Sequence, residues 1–234
     1  MMDWLTARPF AHRGLHDMNK SRWENTPSAF QAAIDAGYGI ECDVHLTADG
    51  EVMVFHDKDL KRLTGQDGEV HEKTAAEMAA LSIGGTADRP QTLTEMLAQV
   101  DCRVPLLIEL KGIRGHDDGL VQAVGKALAA YRGPAAIMSF DHWLIRDFGK
   151  FAPGIPAGLT ACGKGVKDLE NHFSMLSHGI SFTSFAVNEL PNLFTDFVRA
   201  RLGMPVLTWT VRDPKGVAQT MAHADQMTFE GFLP

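Results

Sequence analysis

Short apolar segments alternate with helical segments along nearly the whole chain, and this alternation restricts the fold more than any other feature. Residues 104–110 are a clear buried strand, and the order of strand then helix occurs about eight times in 234 residues. This order predicts a parallel β-sheet with helices outside it. Right-handed crossovers of this kind close a barrel or wind an open sheet. No glycine-rich phosphate loop opens a helix, which disfavours the open dinucleotide-binding fold and favours an α/β fold of the (β/α)8 barrel type.

Two features depart from a regular barrel. Residues 58–90 contain Asp-Gly and Gly-Gly turn signals and little strand pattern, so we interpret them as an insertion of loops and short helices after strand two. The chain ends five residues after Phe229, the end of the last predicted strand, so an eighth outer helix has no sequence to form it. We predict one barrel domain over residues 1–234, with an insertion after strand two and an incomplete outer helix ring.

Residues 40–57 are interpreted as two strands joined by an Asp-Gly turn at 49–50, a pair typical of tight β-hairpins. The first strand alternates, which places Glu41 and Asp43 on one face and three apolar residues on the other. With a two-residue loop, Asp43 lies directly opposite His56. The pattern predicts two carboxylates with a histidine beside the second. A solvated edge strand with polar side chains facing water explains the same spacing about as well.

Barrel enzymes place their working groups at the C-terminal ends of the strands. Chemically active side chains occupy these positions on four predicted strands: His12 and Arg13 on strand one, Glu41 and Asp43 on strand two, Glu109 and Lys111 on strand three, and Trp209 on strand seven. Strands one to three are neighbours, so we expect the first six side chains to converge. Taken singly, a core histidine, a rim ion pair and a core tryptophan are ordinary alternatives, but their combination on adjacent strand ends favours a site.

The residue types at these strand ends indicate a chemistry. Three carboxylates suit a hard divalent cation such as Mg²⁺ or Ca²⁺, and the lack of thiolate or multiple imidazole ligands disfavours zinc. Two histidines beside a cation form a natural acid–base pair. Arg13 offers a planar fork and Lys111 a point charge to an anionic group. A cation, an arginine and a lysine around one point predict a phosphate or phosphodiester ligand.

The composition bears on partners and location. The formal net charge of −7 argues against a nucleic-acid partner, which needs a clustered basic surface. No apolar run approaches the ~18 residues of a membrane span, and the N-terminus lacks a basic start followed by an apolar core. We therefore expect no membrane anchor and no secretory signal. The three cysteines, Cys42, Cys102 and Cys162, are odd in number and far apart, which indicates reduced thiols and a cytoplasmic protein.

Short motifs are spread along the chain: His12-Arg13-Gly14, Glu24-Asn25-Thr26-Pro27, Ala29-Phe30, Glu41-x-Asp43-Val44, Asp49-Gly50 through His56-Asp57, Arg62-x-Thr64-Gly65, Thr92-Leu93-x-Glu95, Glu109-x-Lys111, Ser139-Phe140 and Trp209-Thr210-Val211. Together they resemble the glycerophosphodiester phosphodiesterase family, with the more specific motifs in the first half. The resemblance implies a (β/α)8 barrel with a small insertion after strand two. It also implies a divalent-metal enzyme that cleaves glycerophosphodiesters to sn-glycerol 3-phosphate and an alcohol.

The resemblance also implies residue roles by position. The metal ligands correspond to Glu41, Asp43 and Glu109, the acid–base pair to His12 and His56, the phosphate contacts to Arg13 and Lys111, the glycerol pocket to Trp209, and supporting positions to Glu24 and Asn25. Two positions depart from the family's pattern. Arg212 stands where asparagine is usual, and the last strand ends in Phe229-Glu230 where Thr-Asp is usual. Both departures fall at the rim of strands seven and eight and concern the outer substrate contacts.

Two other functions are compatible with the same barrel. A lysophospholipase D-like enzyme needs an apolar entry surface, for which Met78, Leu81 and Ile83 in the insertion are candidates, although core packing explains them equally well. A phosphate-ligand binding barrel without turnover is the second alternative. The sequence leaves open the alcohol head group, the choice between Mg²⁺ and Ca²⁺, and whether the chain forms an oligomer.

Overall fold

Eight parallel strands close into a barrel in the computed structural model, which describes residues 2–234. The strands are β1 Phe10–Ala11, β2 Gly39–Leu46, β3 Val52–Val54, β4 Leu106–Leu110, β5 Ala135–Ser139, β6 Ala157–Ala161, β7 Phe182–Ala186, β8 Val206–Val211 and β9 Gln226–Phe229. β1 pairs with both β2 and β9 and thereby closes the ring. β3 pairs antiparallel with β2 as an extra ninth strand. The predicted (β/α)8 barrel is confirmed.

Helices cover the outside of this barrel. They are α1 Trp4–Ala7, α2 Pro27–Ala36, α3 Lys61–Thr64, α4 Ala75–Ala79, α5 Leu93–Val100, α6 Leu120–Ala129, α7 His142–Phe151, α8 Val166–Met175, α9 Leu193–Leu202 and α10 Pro214–His223, with 3₁₀ turns at Val70–Glu72, Leu176–His178 and Val187–Glu189. No helix follows β9 in residues 230–234, so the outer ring is incomplete, as predicted. Within residues 2–234 no helix has the length and apolar character needed to cross a membrane.

The boundaries of α2 show how local sequence sets the elements around the site. The Thr26 side chain accepts a hydrogen bond from the backbone N–H of Ala29, Pro27 occupies the first turn, and Gly37 ends the helix with a φ of 74°. The cap and the proline satisfy or remove N–H groups that a first turn leaves unpaired, and glycine adopts the left-handed conformation without a steric penalty. This start and stop match the sequence prediction and fix the loop 12–25 between β1 and α2.

Alternation along the strands separates two layers. Ile40, Cys42 and Val44 on β2 belong to the large core between strands and helices. Leu107 on β4 belongs to a second core inside the barrel, together with Leu5, Phe10, Ala136, Met138, Phe182 and Leu207. Glu109 lies two residues beyond Leu107 and therefore faces the same interior, nearer the C-terminal ends of the strands. The barrel thus has an apolar floor and a charged mouth.

The segment between β3 and α5 packs on a small core of its own. This core consists of Met53, Phe55, Leu60, Leu63, Val70 and Met78, with Trp23 and Leu81 packed against it. Met78 and Ile83 are fully buried, and Leu81 is partly buried. The suggestion that these three residues form an apolar entry surface is therefore wrong, because the segment uses them to hold itself together.

Candidate active site

Three carboxylates meet at the mouth of the barrel. β2 carries Glu41 and Asp43, β4 carries Glu109, and the parallel register pairs Asp43 with Glu109. The three residues are 2%, 2% and 5% exposed. One carboxylate oxygen of each lies within 4.8 Å of the other two. The structure therefore brings together the three residues predicted as metal ligands, and their oxygen donors are those that Mg²⁺ and Ca²⁺ prefer.

The charges in this acidic cluster do not balance. Lys111 Nζ lies 2.6 Å from a Glu109 oxygen and 3.5 Å from an Asp43 oxygen. Arg13 Nε lies 3.5 Å from Asp43. Glu41 accepts the backbone N–H of Arg13 at 2.9 Å, but no lysine or arginine side chain among residues 2–234 lies within 4.0 Å of its carboxylate. Three carboxylates beside two cations leave one surplus negative charge, which falls on Glu41.

The direction of the pKa shifts follows from this imbalance. Burial, followed by the charges of Asp43 and Glu109, raises the pKa of Glu41 well above its usual range. Although burial opposes it, Lys111 and other nearby cations lower the pKa of Asp43. A surplus charge at a buried position is costly unless a proton or a cation neutralises it. The charge and the donor set of the acidic cluster both fit a divalent cation.

His12 stands at the end of β1, beside the end of β9. Its backbone N–H donates to the carbonyl of Phe229 at 2.9 Å, which brings its ring next to Glu230. His12 Nδ1 lies 2.5 Å from Glu230 Oε2, and its Nε2 lies 4.0 Å from Glu41 Oε2. Burial lowers the pKa of His12 and favours the neutral ring. No role for Glu230 could be predicted, because a contact between residues 218 positions apart leaves no local signal in the sequence.

The two departures from the family pattern contact each other. Arg212 Nε and Nη2 each lie 2.7 Å from Glu230 Oε1, while His12 and His16 approach Oε2 at 2.5 and 3.4 Å. Although burial opposes it, the hydrogen bond from His12, the approach of His16 and the nearby charges lower the pKa of Glu230. The carboxylate is therefore ionised. His16, to which the sequence assigned no role, is 8% exposed and belongs to this group.

The hairpin between β2 and β3 differs from the prediction by one residue. Its loop contains three residues, 48–50, because Thr47 pairs with Glu51 across it. The backbone N–H and the hydroxyl of Thr47 both donate to the carbonyl of Glu51, and the hydroxyl accepts the Glu51 N–H. The third loop residue is glycine in the left-handed conformation, a common three-residue arrangement. In this register the backbone N–H of Phe55 donates to the carbonyl of Asp43. The predicted position of His56 directly opposite Asp43 is therefore wrong.

His56 still lines the same cavity as the acidic cluster, because β3 ends at Val54 and the chain leaves the sheet before it. His56 Nδ1 lies 2.7 Å from Asp57 Oδ1, and its carbonyl accepts a hydrogen bond from His45 Nε2 at 2.9 Å. Arg62 donates to both oxygens of Asp57, at 2.6 and 2.9 Å. Each of the two predicted catalytic histidines thus has its Nδ1 on a carboxylate that an arginine binds from the other side.

Glu24 and Asn25, the predicted supporting residues, lie directly behind the acidic cluster. Glu24 accepts from Arg62 at 2.7 and 2.9 Å and from Arg13 at 2.6 Å. Burial opposes ionisation, but these arginines lower the pKa of Glu24 to about 2. Asn25 Nδ2 donates to Asp43 Oδ2 at 2.9 Å. Arg13 Nε is buried without a hydrogen-bond partner and lies 3.5 Å from Asp43 Oδ2.

One cavity of about 160 Å³ collects these groups. It is lined by His12, Arg13, Glu41, Asp43, His56, Glu109, Lys111 and Trp209, together with Met138, Phe140, Thr210, Arg212 and Thr228. The Trp209 ring packs edge-on against Phe140, with centroids 5.1 Å apart. Trp209, Thr210 and Arg212 also border a second cavity of about 780 Å³ over the ends of β6 to β8. A small charged cavity therefore adjoins a larger one.

Known proteins resemble this chain over nearly its whole length. The model of the glycerophosphoryl diester phosphodiesterase family matches residues 12–233. A glycerophosphodiester phosphodiesterase of Caldanaerobacter subterraneus subsp. tengcongensis is 32% identical over 212 residues, which cover 86% of this chain and 84% of the relative.

Solved structures share the fold. A phosphodiesterase of Oleispira antarctica in complex with the product sn-glycerol-3-phosphate superposes with a TM-score of 0.85 at 21% identity, covering 97% of this chain and 94% of that one. A glycerophosphodiester phosphodiesterase of Thermotoga maritima gives a TM-score of 0.74 at 26% identity, with coverages of 94% and 92%.

Proposed function

The chain belongs to the glycerophosphoryl diester phosphodiesterase family, whose members hydrolyse glycerophosphodiesters, and we propose that it does so with a divalent cation and two histidines. The cation ligands in this proposal are Glu41, Asp43 and Glu109, and the acid–base pair is His12 and His56. The observation that carries the proposal is a buried acidic cluster with one surplus negative charge, lining one cavity with both histidines. The product named in the Oleispira antarctica complex supports sn-glycerol 3-phosphate as the product here.

The cation would neutralise the surplus charge of the acidic cluster and, when bound, would supply charge stabilisation to the phosphoryl oxygens. Its identity as Mg²⁺ or Ca²⁺ stays a prediction from the oxygen donors. Arg13 and Lys111 border the same cavity, so their charges stabilise the negative charge that develops on the non-bridging oxygens. Lys111 stays protonated, because Glu109 and Asp43 raise its pKa despite its burial.

The two histidines divide the proton transfers. On each of them Nδ1 faces a carboxylate, so Nε2 is the nitrogen left for the substrate. The Nε2 of one neutral ring accepts a proton from the attacking oxygen as its bond to phosphorus forms. The other histidine acts as the imidazolium and donates its Nε2 proton to the alcohol as its bond to phosphorus breaks. Attack by water gives sn-glycerol 3-phosphate directly, whereas attack by the glycerol 2-hydroxyl gives a cyclic phosphate that water then opens.

The two adjoining cavities suggest how the substrate is placed. The small cavity has the size and charge for the phosphate, with Trp209 beside it for the glycerol. The larger cavity gives room to the rest of the diester. The three cysteines are unpaired, which supports the cytoplasmic location that we propose. The lack of a nucleic-acid partner stays a prediction from the net charge.

An assay of released sn-glycerol 3-phosphate tests this function. Purified protein is incubated with glycerophosphocholine and Mg²⁺ or Ca²⁺, with a chelator in a parallel sample. We expect cation-dependent release, and we expect His12→Asn and His56→Asn each to lower kcat by about 10²–10⁴-fold, the range for acid–base groups. His223→Asn is the matched control and should behave as wild type, because His223 ends α10 near the N-terminal end of β9, at the opposite end of that strand from the site.

Two results contradict the proposal. Release of sn-glycerol 3-phosphate that persists in chelator excludes a role for the cation. A histidine variant with a near-normal rate excludes that histidine from the mechanism. A parallel incubation with a lysophospholipid tests the lysophospholipase D-like alternative, which predicts a faster reaction with the lipid. A protein that binds sn-glycerol 3-phosphate but releases none from either diester is the binding barrel without turnover.

A further inference from the structure

We propose that Glu230 is a positioning residue that fixes the tautomer and the orientation of His12, and that Arg212 holds Glu230 in place for this purpose. The inference rests on the proposed function, in which His12 exchanges a proton with the substrate. It adds two residues that directly follow β8 and β9 and that none of the motifs of the chain includes. The two oxygens of the Glu230 carboxylate are divided between Arg212 and the histidines.

The backbone fixes where the carboxylate of Glu230 starts. The Glu230 N–H donates to the carbonyl of Val211 at 3.0 Å, and the His12 N–H donates to the carbonyl of Phe229 at 2.9 Å. The ends of β1, β8 and β9 are therefore held together by main-chain hydrogen bonds. The Glu230 side chain is 7% exposed, so it has little freedom to move away from His12.

The hydrogen bonds of Glu230 determine which nitrogen of His12 carries the proton. An ionised carboxylate only accepts hydrogen bonds, so the Nδ1 that lies 2.5 Å from Oε2 must be the donor. In the neutral ring the lone pair is then on Nε2, which lines the catalytic cavity and lies 4.0 Å from Glu41. Glu230 therefore presents the unprotonated Nε2 to the reacting atoms and assigns His12 as the proton acceptor in the resting enzyme.

His16 excludes a competing interpretation of the same residues. One ligand atom each of His12, His16 and Glu230 lies within 4.8 Å of the others, which would also suit a metal ion. However, His16 Nδ1 accepts the backbone N–H of Met18 at 3.1 Å, so the proton of the neutral ring is on Nε2, the nitrogen that faces Glu230. A metal ligand needs a lone pair on that nitrogen. The group is therefore a carboxylate that accepts a hydrogen bond from His12 and faces the protonated nitrogen of His16 at 3.4 Å.

Arg212 completes the arrangement from the solvent side. Its Nε and Nη2 both contact Oε1, which leaves Oε2 to the histidines and prevents the carboxylate from rotating. The Arg212 side chain is 58% exposed and makes no contact with His12 in this arrangement. Its contribution is therefore to anchor Glu230. Loss of Arg212 should therefore have a smaller effect than loss of Glu230.

The first test measures the tautomer directly. Nitrogen-15 NMR of the histidine side chains, recorded at about pH 8, where an imidazole of ordinary pKa is neutral, distinguishes a proton on Nδ1 from one on Nε2. The His12 signal is assigned by its loss in His12→Asn. We expect Nδ1–H in the wild type and in Glu230→Gln, whose amide oxygen accepts the same proton, and loss of this preference in Glu230→Met. The measurement needs neither cation nor substrate.

The second test measures turnover of the cation-loaded enzyme. We expect Glu230→Met to lower kcat by about 10–10²-fold with little change in KM, which is the usual effect of removing an outer partner of a site histidine or ligand. Glu230→Gln should recover part of this loss, and Arg212→Met should lose less than Glu230→Met. The matched control is Arg199→Met, which removes an arginine bound to Asp225 at the other end of β9 and should keep wild-type kcat.

The proposal is overturned if wild-type His12 carries its proton on Nε2, if Glu230→Met keeps the Nδ1–H tautomer, or if its kcat equals that of the wild type. An equal loss in Glu230→Met and Glu230→Gln, together with a lowered unfolding midpoint in both, would also overturn it, because the effect would then be structural. A wild type that releases no sn-glycerol 3-phosphate but shows the Nδ1–H tautomer refutes the proposed function alone.

Discussion

Replacing Glu41 by glutamine should stabilise the protein in the presence of a chelator and remove its stabilisation by Mg²⁺ or Ca²⁺. The surplus negative charge of the acidic cluster falls on Glu41, which is 2% exposed and within 4.8 Å of two other carboxylates. At that separation and an effective dielectric constant of 20, each pair of charges repels by about 3.5 kcal/mol. Glutamine keeps the shape of the side chain and its acceptor for the Arg13 N–H while removing the charge.

The expected size of the effect is smaller than this repulsion, because a proton already relieves part of it in the wild type. We expect the free energy of unfolding to rise by about 1–4 kcal/mol, the range found when buried ion pairs are replaced by uncharged side chains of similar volume. For a chain of this length each kcal/mol moves the unfolding midpoint by roughly 2–4 °C. For the wild type, a cation at 100 times its dissociation constant should add about 2.7 kcal/mol.

The pH dependence gives the same prediction a second readout. Burial raises the pKa of Glu41 above its ordinary value of 4.5, so between these two values the folded protein binds more protons than the unfolded chain. The contribution of Glu41 to the stability of the chelated wild type should therefore be fully present below the ordinary pKa and be lost as the pH rises through the raised one. The Glu41→Gln curve should be flatter, although Glu109, whose pKa burial also raises, keeps some slope.

Thermal unfolding is followed by circular dichroism between about pH 5 and pH 8, with chelator or cation. It measures the stability in chelator, the stabilisation by the cation and the pH dependence of stability. Glu51→Gln is the matched control, because it makes the same change on an exposed residue of the same hairpin, where effects stay within about 0.5 kcal/mol. The reasoning is refuted if Glu41→Gln lowers the midpoint in chelator, or if Mg²⁺ and Ca²⁺ stabilise it as much as they stabilise the wild type.

Three further predictions follow from other contacts. Arg62→Met should lower kcat in the diester assay by about 10–100-fold, since it frees Asp57 behind the second histidine, while Lys61→Met, in an exposed ion pair, should not. Gly84→Ala should reduce the free energy of unfolding in urea by about 1–3 kcal/mol or more, because its Cβ would lie 2.0 Å from the Trp23 ring at a φ of +58°. In thermal unfolding, sn-glycerol 3-phosphate should raise the wild-type midpoint with Mg²⁺ or Ca²⁺ present but not in chelator.

The acidic cluster could be predicted from the sequence because its signals are local. Strand alternation alone places Glu41 and Asp43 on the interior face, and the order of strands in a barrel makes β4, with Glu109, the neighbour of β2. The start of α2 was equally visible in its capping threonine and proline. Each of these inferences needs only the period of an element or the chemistry of its ends.

The hairpin register and the partner of His12 could not be obtained in this way. The Asp-Gly pair indicates a turn but not its length, which the hydroxyl of Thr47 decides by binding across the loop. A shift of one residue reverses which side chains share a face, so the predicted neighbour of Asp43 changed from His56 to Phe55. The contact of His12 with Glu230 joins the first and last strands, and only the closed barrel brings them together.

The two histidines show two ways in which a ring at the barrel mouth obtains its orientation. A side chain at the tip of a strand has no neighbour on its own strand to hold its ring, so its orientation must come from an adjacent strand or loop. His12 obtains it from Glu230 on the far side of the closure, and His56 from the next residue, Asp57. In both cases an arginine binds the outer side of the carboxylate, which keeps it ionised and aligned in a site crowded with other charges. Each ring thus has its Nδ1 on a carboxylate, although one carboxylate is 218 residues away and the other belongs to the next residue.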